Sequence, residues 1–159
     1  MGHYTQHEEA IFDEKIKEDL NHITQELLAK HQSQLVAILI TGGFGRGEGS
    51  AVLDAKRGSR PLNDYDLVIL AKRPLRELRT ALQPLSKDLE KQMGVQIDFG
   101  VFSPEKWHQR PPSILLYEIT HGHEVLWQQD SYAWTCPQID VTQLPLEEGT
   151  DLLFNRAMS

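Results

Sequence analysis

Two aspartates, Asp64 and Asp66, stand at the start of an apolar run and constrain the fold more than any other feature. Residues 67–70 read Leu-Val-Ile-Leu, which is typical of a buried strand. Side chains two positions apart on a strand share a face, so the two carboxylates lie roughly 6–7 Å apart along it. Like charges this close disfavour each other's ionised form. We therefore expect a divalent cation between them, the alternative being two solvated aspartates at the start of a strand.

A third aspartate, Asp98, lies within a second apolar segment, residues 95–102. Its neighbours Ile97 and Phe99 point to the opposite face of a strand, so Asp98 occupies the less apolar face. If that face meets Asp64 and Asp66, three carboxylates converge and can hold one or two Mg²⁺ (or Mn²⁺) ions, completed by water and phosphate oxygens. The alternative is an edge-strand residue that faces water.

A glycine-rich turn follows a third apolar run, and it reads Gly42-Gly43-Phe44-Gly45-Arg46-Gly47-Glu48-Gly49. Glycines let the backbone approach a ligand closely, and N–H groups at the start of a helix favour anions. Arg46 adds a charge-assisted donor for phosphate. The turn matches neither a P-loop nor G-x-G-x-x-G in any register. The alternative is a flexible surface turn.

Helical periodicity is strongest near the beginning of the chain. Apolar residues recur every three or four positions and predict an amphipathic helix over residues 8–34. A second long helix is predicted from Pro74 to a stop at Gly94, with a kink or interruption at Pro84. Shorter helices are predicted over 48–53, after Ser103 and over 111–120.

Apolar runs between these helices predict a small sheet. The predicted strands are Leu35–Thr41, Tyr65–Ala71, Val95–Phe102 and Glu124–Trp127, and residues 54–63 are predicted to be a surface loop. This order predicts a mixed α/β (α+β) fold, in which a mainly antiparallel or mixed sheet is flanked by helices. We expect Tyr65–Ala71 and Val95–Phe102 to be neighbours, and residues 8–34 to cover one face.

The length of 159 residues fits one domain, or one domain and the start of another. We divide it into an N-terminal helix (1–34), a catalytic domain (35–127) and a tail (128–159), which we expect to begin a further helical region. The net charge of −7 argues against tight non-specific binding of DNA. The sequence has a single cysteine, no apolar signal segment and no run of about 18 consecutive apolar residues. We therefore expect the protein in the cytoplasm and do not expect a membrane as a partner.

Taken together and in this order, the motifs resemble the DNA polymerase beta-like nucleotidyltransferase superfamily, over roughly residues 35–127. Gly42-Gly43 match its turn, Asp64-Tyr65-Asp66 its paired carboxylates and Asp98 its third carboxylate. Arg46-Gly47-Glu48 is similar to the R-G-E run of small bacterial members. Gly43 stands where many members have serine, and residues 51–63 make the stretch before Asp64 longer than in the smallest members.

The resemblance implies a role for each residue. Asp64 and Asp66 would bind the metal ion that carries a nucleoside triphosphate. Asp98 would help to hold a second metal ion and act as base toward the acceptor hydroxyl. Gly42, Gly43 and Arg46 would hold the β- and γ-phosphates. The implied reaction moves a nucleoside monophosphate, with ATP rather than another NTP as the expected donor, onto a hydroxyl.

The sequence does not distinguish between a protein side chain, an RNA end and a small molecule as the acceptor. It also leaves open whether the protein forms a homo-oligomer. A second hypothesis is a non-catalytic nucleotide-binding or protein-interaction module of the same fold, similar to an antitoxin.

Other chemically active residues have more ordinary interpretations. His121 and His123 are expected to be structural, Cys136 to be inert, and the three tryptophans to pack in the core rather than to stack a base.

Overall fold

A four-stranded mixed sheet forms the centre of the computed structural model, which describes residues 2–6, 10–54, 58–72, 75–136 and 138–150. The strands are β1 (Leu35–Ile40), β2 (Ala51–Asp54), β3 (Gly58–Pro61), β4 (Tyr65–Ala71), β5 (Ile97–Phe102) and β6 (Glu124–Gln128). The sheet has the order β5-β4-β1-β6, and β2 and β3 form a separate hairpin. β4 pairs parallel with β5, whereas β1 pairs antiparallel with β4 and β6. The predicted α+β class and the predicted neighbours are confirmed.

The helices cover both faces of this sheet. The α-helices before β6 are α1 (Ala10–His31), α2 (Gly42–Gly45), α3 (Leu75–Met93), α4 (Pro104–Trp107) and α5 (Ile114–His121), and a 3₁₀ turn (Val141–Gln143) follows β6. On the back face, buried residues of α1 and α3 pack with Tyr65, Leu67 and Ile69. On the front face, Trp107 of α4 and the buried residues of α5 pack with Val68 and Leu70. Alternate residues of β4 thus enter two different cores, which puts the even-numbered positions on the front face.

Side chains of α3 protect the exposed edge of the sheet. Arg79 Nη2 donates to the Val101 carbonyl (2.5 Å) and Ser86 Oγ donates to the Ile97 carbonyl (2.6 Å). The Ile97 N–H donates to Glu90 Oε1 (3.1 Å). The outward-pointing N–H and C=O groups of an edge strand can pair with a strand of another chain. In β5, the hydrogen bonds to α3 already occupy several of these groups.

Pro84 does not interrupt α3, contrary to one alternative in the sequence prediction. The helix continues from Leu75 to Met93 through Pro84 and ends before Gly94, whose φ is +71°. A proline inside a helix costs about 3 kcal/mol because it removes one hydrogen bond and crowds the preceding turn. The buried stripe of α3 offsets this cost by packing on the sheet, and it consists of Leu78, Leu82, Leu85 and Leu89.

The prediction was wrong for the connection before β4. Residues 48–53 were predicted to be helical and residues 54–63 a loop, but Ala51–Asp54 and Gly58–Pro61 pair as an antiparallel hairpin. The pairing is made by backbone groups, and Gly-Ser-Arg-Pro has little intrinsic strand preference, so local sequence carries no signal for it. Residues 55–57 lie outside the described part of the chain.

Residues after β6 return to the front face. The Gln129 N–H donates to the Val36 carbonyl (2.9 Å), and Ile139 is buried in the front core. Residues 146–150 are helical, whereas residues 151–159, over which the rest of the predicted helical region extends, lie outside the described part. Across the described ranges, no helix has both the length and the apolar character needed to cross a bilayer.

Candidate active site

Three aspartates meet at the beginning of β4 and β5. Asp98 is the register partner of Asp66 in the parallel pairing, and Asp64 lies two positions before Asp66, on the same face. One carboxylate oxygen from each residue lies within 4.8 Å of the others. Asp64 and Asp98 are exposed, whereas Asp66 is half-buried. The three aspartates that the sequence singled out therefore form one cluster, which we call the acidic cluster.

The Asp66 carboxyl is harder to ionise than an ordinary aspartate. Its pKa is raised from the usual 3.8 to about 6, chiefly by burial and then by the charges of Asp64, Asp98 and Glu118. Arg46 acts in the opposite direction, with a smaller effect. Since three of these causes are negative charges, a cation in the cluster would favour the ionised form of Asp66.

The glycine turn packs directly on Asp66. Thr41 donates its backbone N–H (2.8 Å) and its hydroxyl (3.0 Å) to the Asp66 carbonyl. Gly42 follows with a φ of +62°, and a Cβ at this position would lie 2.2 Å from Asp66 Oδ2. Only glycine combines this left-handed backbone with such a close approach. Gly42 is therefore needed for the turn to lie beside the acidic cluster.

Gly43 differs from Gly42, although the two are adjacent in sequence. Its φ is not in the left-handed region, and a Cβ would come no closer than 3.7 Å to another residue, at Gly49 Cα. This is an ordinary van der Waals distance, so a small side chain fits. The serine that many members of the resembled superfamily have at this position would thus be tolerated here.

Arg46 is held beside the cluster by acidic partners. Its Nε donates to Glu48 Oε2 (2.8 Å), and its Nη1 lies 4.0 Å from Glu118 Oε1. The Arg46 side chain also covers Gly122, where a Cβ would lie 2.1 Å from Arg46 Cγ. Arg46 therefore has a defined position, and Glu48 braces the turn.

The N-terminal segment crosses the glycine turn, which sequence analysis did not anticipate. The Gly49 N–H donates to the Tyr4 carbonyl (3.1 Å), and Thr5 forms a parallel bridge with Gly49. Tyr4 and Thr5 are both buried. Asp13 of α1 holds the segment by accepting from the Tyr4 N–H (3.1 Å) and the Thr5 hydroxyl (3.2 Å). This segment fixes the far side of the turn from the acidic cluster.

A cleft of about 390 Å³ opens between the acidic cluster and α5. Asp66, Asp98 and Gly42 form one side, and apolar side chains form the other. The apolar side consists of Val68, Phe102, Leu115 and Ile119. The cleft therefore combines an anionic wall with a wall that is apolar except for Glu118, and it is large enough for part of a small molecule.

Glu118 and the apolar side chains of this cleft were not predicted from the sequence as parts of the site. Leu115, Glu118 and Ile119 share one face of α5 because they are spaced by three and four residues. That spacing was visible in the sequence. The position of this face opposite Asp66 could not be predicted from the sequence.

The other chemically active side chains have structural roles. His123 Nε2 accepts from Trp134 Nε1 (2.6 Å), and its Nδ1 contacts the Ile119 carbonyl (2.7 Å). Trp107 is fully buried, so it cannot stack a base. Burial raises the pKa of the Cys136 thiol, which makes it a weaker nucleophile.

No family model and no curated protein matches this chain. Among solved structures, it has a distant likeness to one described as the toxin-antitoxin MntA-HepT, with 17% identity, a TM-score of 0.44, and coverage of 71% of this chain and 73% of that chain. A mutant of the same complex gives 16% identity, a TM-score of 0.44, and coverage of 69% and 73%. Likenesses this distant do not assign the chain to a family.

Proposed function

We propose that this protein is a Mg²⁺-dependent nucleotidyltransferase, which moves the AMP part of ATP onto an acceptor hydroxyl and releases pyrophosphate. The convergence of Asp64, Asp66 and Asp98 within 4.8 Å carries this proposal. A fold gains nothing in stability from holding three like charges together, so the cluster is best explained by a ligand that neutralises it.

The donor set suits Mg²⁺. Carboxylate oxygens are the ligands that this hard cation prefers, and two oxygens on opposite sides of one Mg²⁺ lie about 4 Å apart. The carboxylate oxygens of the cluster lie within 4.8 Å of one another, close enough for side-chain rotations to bring them onto a shared cation. Asp64 and Asp98 are exposed, and the Asp98 carboxylate accepts a hydrogen bond from Gln96 Nε2 (2.9 Å) that a cation would have to share or replace.

The residues around the cluster fit the remaining parts of the reaction. In the described part of the chain, no residue accepts a hydrogen bond from the N–H groups of Gly42 and Gly43. These donors and the Arg46 guanidinium would bind the triphosphate, and Asp64 and Asp66 would bind the metal ion. Asp98 would take the proton of the acceptor hydroxyl. The oxygen of that hydroxyl would attack the α-phosphorus, and the bond from the α-phosphorus to pyrophosphate would break. Bound Mg²⁺ supplies charge neutralisation on the attacking and leaving oxygens.

The test is an incubation with Mg²⁺ and ATP labelled at its α-phosphate, in which pyrophosphate release and transfer of label to protein, RNA or small hydroxyl compounds are measured. We expect transfer by the wild type, and none by the Asp64→Asn/Asp66→Asn double variant. Asp130→Asn makes the same chemical change at an exposed position after β6 and should keep the activity. Transfer that survives the double variant would contradict this site.

Binding is measured separately, by the melting temperature with Mg²⁺ and a non-hydrolysable ATP analogue. A ligand that binds only the folded state raises the melting temperature by mass action. We expect a rise for the wild type and not for the double variant. Binding without turnover under any acceptor condition would instead favour the non-catalytic nucleotide-binding module.

A further inference from the structure

A second cavity lies on the back face, behind β4, which carries Asp66 and begins directly after Asp64. It has a volume of about 530 Å³ and lies between α1, β3 and the last turn of α3. Tyr65, between the two aspartates, enters the back core and donates its hydroxyl to Asp19 Oδ2 (2.9 Å). Asp19 lines this back cavity, which is therefore separated from the acidic cluster by the thickness of the sheet.

The back cavity concentrates positive charge in a chain whose net charge is −7. Lys15, Arg60 and Lys91 line it, and Asp19 is the one carboxylate among its described lining residues. Asp19 is already neutralised, because it accepts from Lys15 Nζ (2.6 Å) as well as from the Tyr65 hydroxyl. Arg60 and Lys91 thus carry positive charge beyond what balances Asp19, although Lys91 Nζ also lies 3.8 Å from Asp88 Oδ1.

Two donors on β3 are buried without an acceptor. Ser59 is only 7% exposed and lines the cavity, and its Oγ has no hydrogen-bond partner among the described residues. The Nε of the adjacent Arg60 is also buried, and it likewise has no partner within the described ranges. Unpaired buried donors cost free energy and are uncommon in folded proteins. An acceptor that comes from outside the chain would remove this cost.

We propose that the back cavity binds a phosphate-type oxyanion, either free or as a phosphomonoester. Such an anion offers several acceptor oxygens to Ser59 and Arg60, and its charge is opposite to that of Lys15, Arg60 and Lys91. The end of α3 works against an anion, since a helix C-terminus is partially negative. That effect is smaller than one charge-assisted hydrogen bond to a guanidinium, so the cationic side chains outweigh it.

The experiment compares the protein in sodium phosphate and in sodium chloride at matched ionic strength. Phosphate should raise the melting temperature in a saturable manner. In ¹H–¹⁵N spectra, it should shift the amide signals of Ser59, Arg60 and Gly94. Titration with glycerol 3-phosphate and with sulfate then separates an esterified from a free ligand and measures the preference for phosphate.

Two substitutions locate the binding, and a third is the control. Arg60→Gln should weaken phosphate binding about tenfold, the effect of losing one charge-assisted contact. Lys91→Gln removes an exposed charge whose pairing with Asp88 is loose (3.8 Å), and it should also weaken phosphate binding. Lys87→Gln makes the same change one turn earlier on α3, outside the back cavity, and should leave the affinity unchanged.

The proposal is overturned if phosphate and chloride give the same melting temperature, or if Lys87→Gln weakens binding as much as Lys91→Gln does. Amide shifts confined to residues 42–49 would also overturn it, because phosphate would then bind only at the glycine turn. The Asp64→Asn/Asp66→Asn double variant should keep its phosphate response. Failure of the nucleotidyltransferase proposal is thereby distinguishable from failure of this one.

Discussion

Two carboxylates on opposite sides of β4 show how differently one fold treats acidic groups. Asp19, behind the strand, is only 4% exposed, yet the Tyr65 hydroxyl and the Lys15 ammonium both donate to it. Asp66, in front, is less buried, but Asp64 and Asp98 surround it and its pKa is raised to about 6. Burial alone therefore does not mark a functional carboxylate. Among the described residues, none donates a hydrogen bond to the Asp66 carboxylate, and this lack of compensation supports the proposed role of Asp66.

Catalysis gives the largest expected contrast between the two sides. Asp66→Asn should reduce pyrophosphate release from Mg-ATP by about 10²–10³-fold, because it would remove a ligand of the proposed metal ion and a charge that acts in the transition state. Asp19→Asn keeps an acceptor for Tyr65 and should leave the rate close to that of the wild type. Both rates are measured on protein whose circular dichroism spectrum shows that it is folded. Equal losses in the two variants would show that the acidic cluster has no special role.

The glycine turn offers the second contrast, between neighbours. Gly42→Ala should destabilise the fold by about 2–4 kcal/mol, the sum of a left-handed backbone and a steric clash. The clash falls on Asp66 Oδ2, so metal-dependent stabilisation should decrease as well. Gly43→Ala should change the free energy of unfolding by less than about 1 kcal/mol, since the position has room for a Cβ. Urea denaturation measures both, and similar values for the two variants would rule out the tight approach at Gly42.

The acidic cluster was predictable because its geometry follows from local rules. The two-residue period of a strand puts Asp64 and Asp66 on one face, and flanking apolar residues put Asp98 on the less apolar face of its own strand. Their meeting needed one further expectation, that the two strands are neighbours. The parallel pairing of Asp66 with Asp98 confirms that expectation.

Features that depend on long-range contacts were not predictable. Glu118 affects Asp66 only because α5 packs over the front face. The β2–β3 hairpin forms through backbone pairing of segments with weak strand preference, so local propensity gave the wrong structure there. The N-terminal segment crosses the glycine turn through backbone contacts that involve residues more than 40 positions apart, such as Thr5 and Gly49. In each case, tertiary context decides the outcome.

On the back side, the paired carboxylate should contribute to stability. Asp19→Ala leaves the buried Tyr65 hydroxyl without an acceptor, so we expect a loss of about 1–3 kcal/mol in the free energy of unfolding. Combining it with Tyr65→Phe removes the unpaired donor, and the double variant should lose less than the sum of the two single losses. Urea denaturation of all four proteins gives the coupling. Strict additivity would mean that the hydrogen bond between Asp19 and Tyr65 contributes little.

On the front side, removing a carboxylate should have the opposite sign and should depend on pH. The folded-state pKa of Asp66 is about 6, above the usual 3.8, so its contribution to stability is fully present below about pH 4 and is lost as the pH rises through 6. Two pKa units correspond to at most about 3 kcal/mol, and partial exposure reduces this to about 1–2 kcal/mol. Without metal, Asp66→Asn should therefore be more stable than the wild type by about that amount at pH 8, and nearly equal to it at pH 4. Thermal unfolding across this range in EDTA measures the difference.

Saturating Mg²⁺ should then reduce or reverse the advantage of the variant at pH 8, because only the wild type keeps all three carboxylates. A variant that is less stable than the wild type at pH 8 in EDTA would show that Asp66, like Asp19, is compensated within the fold.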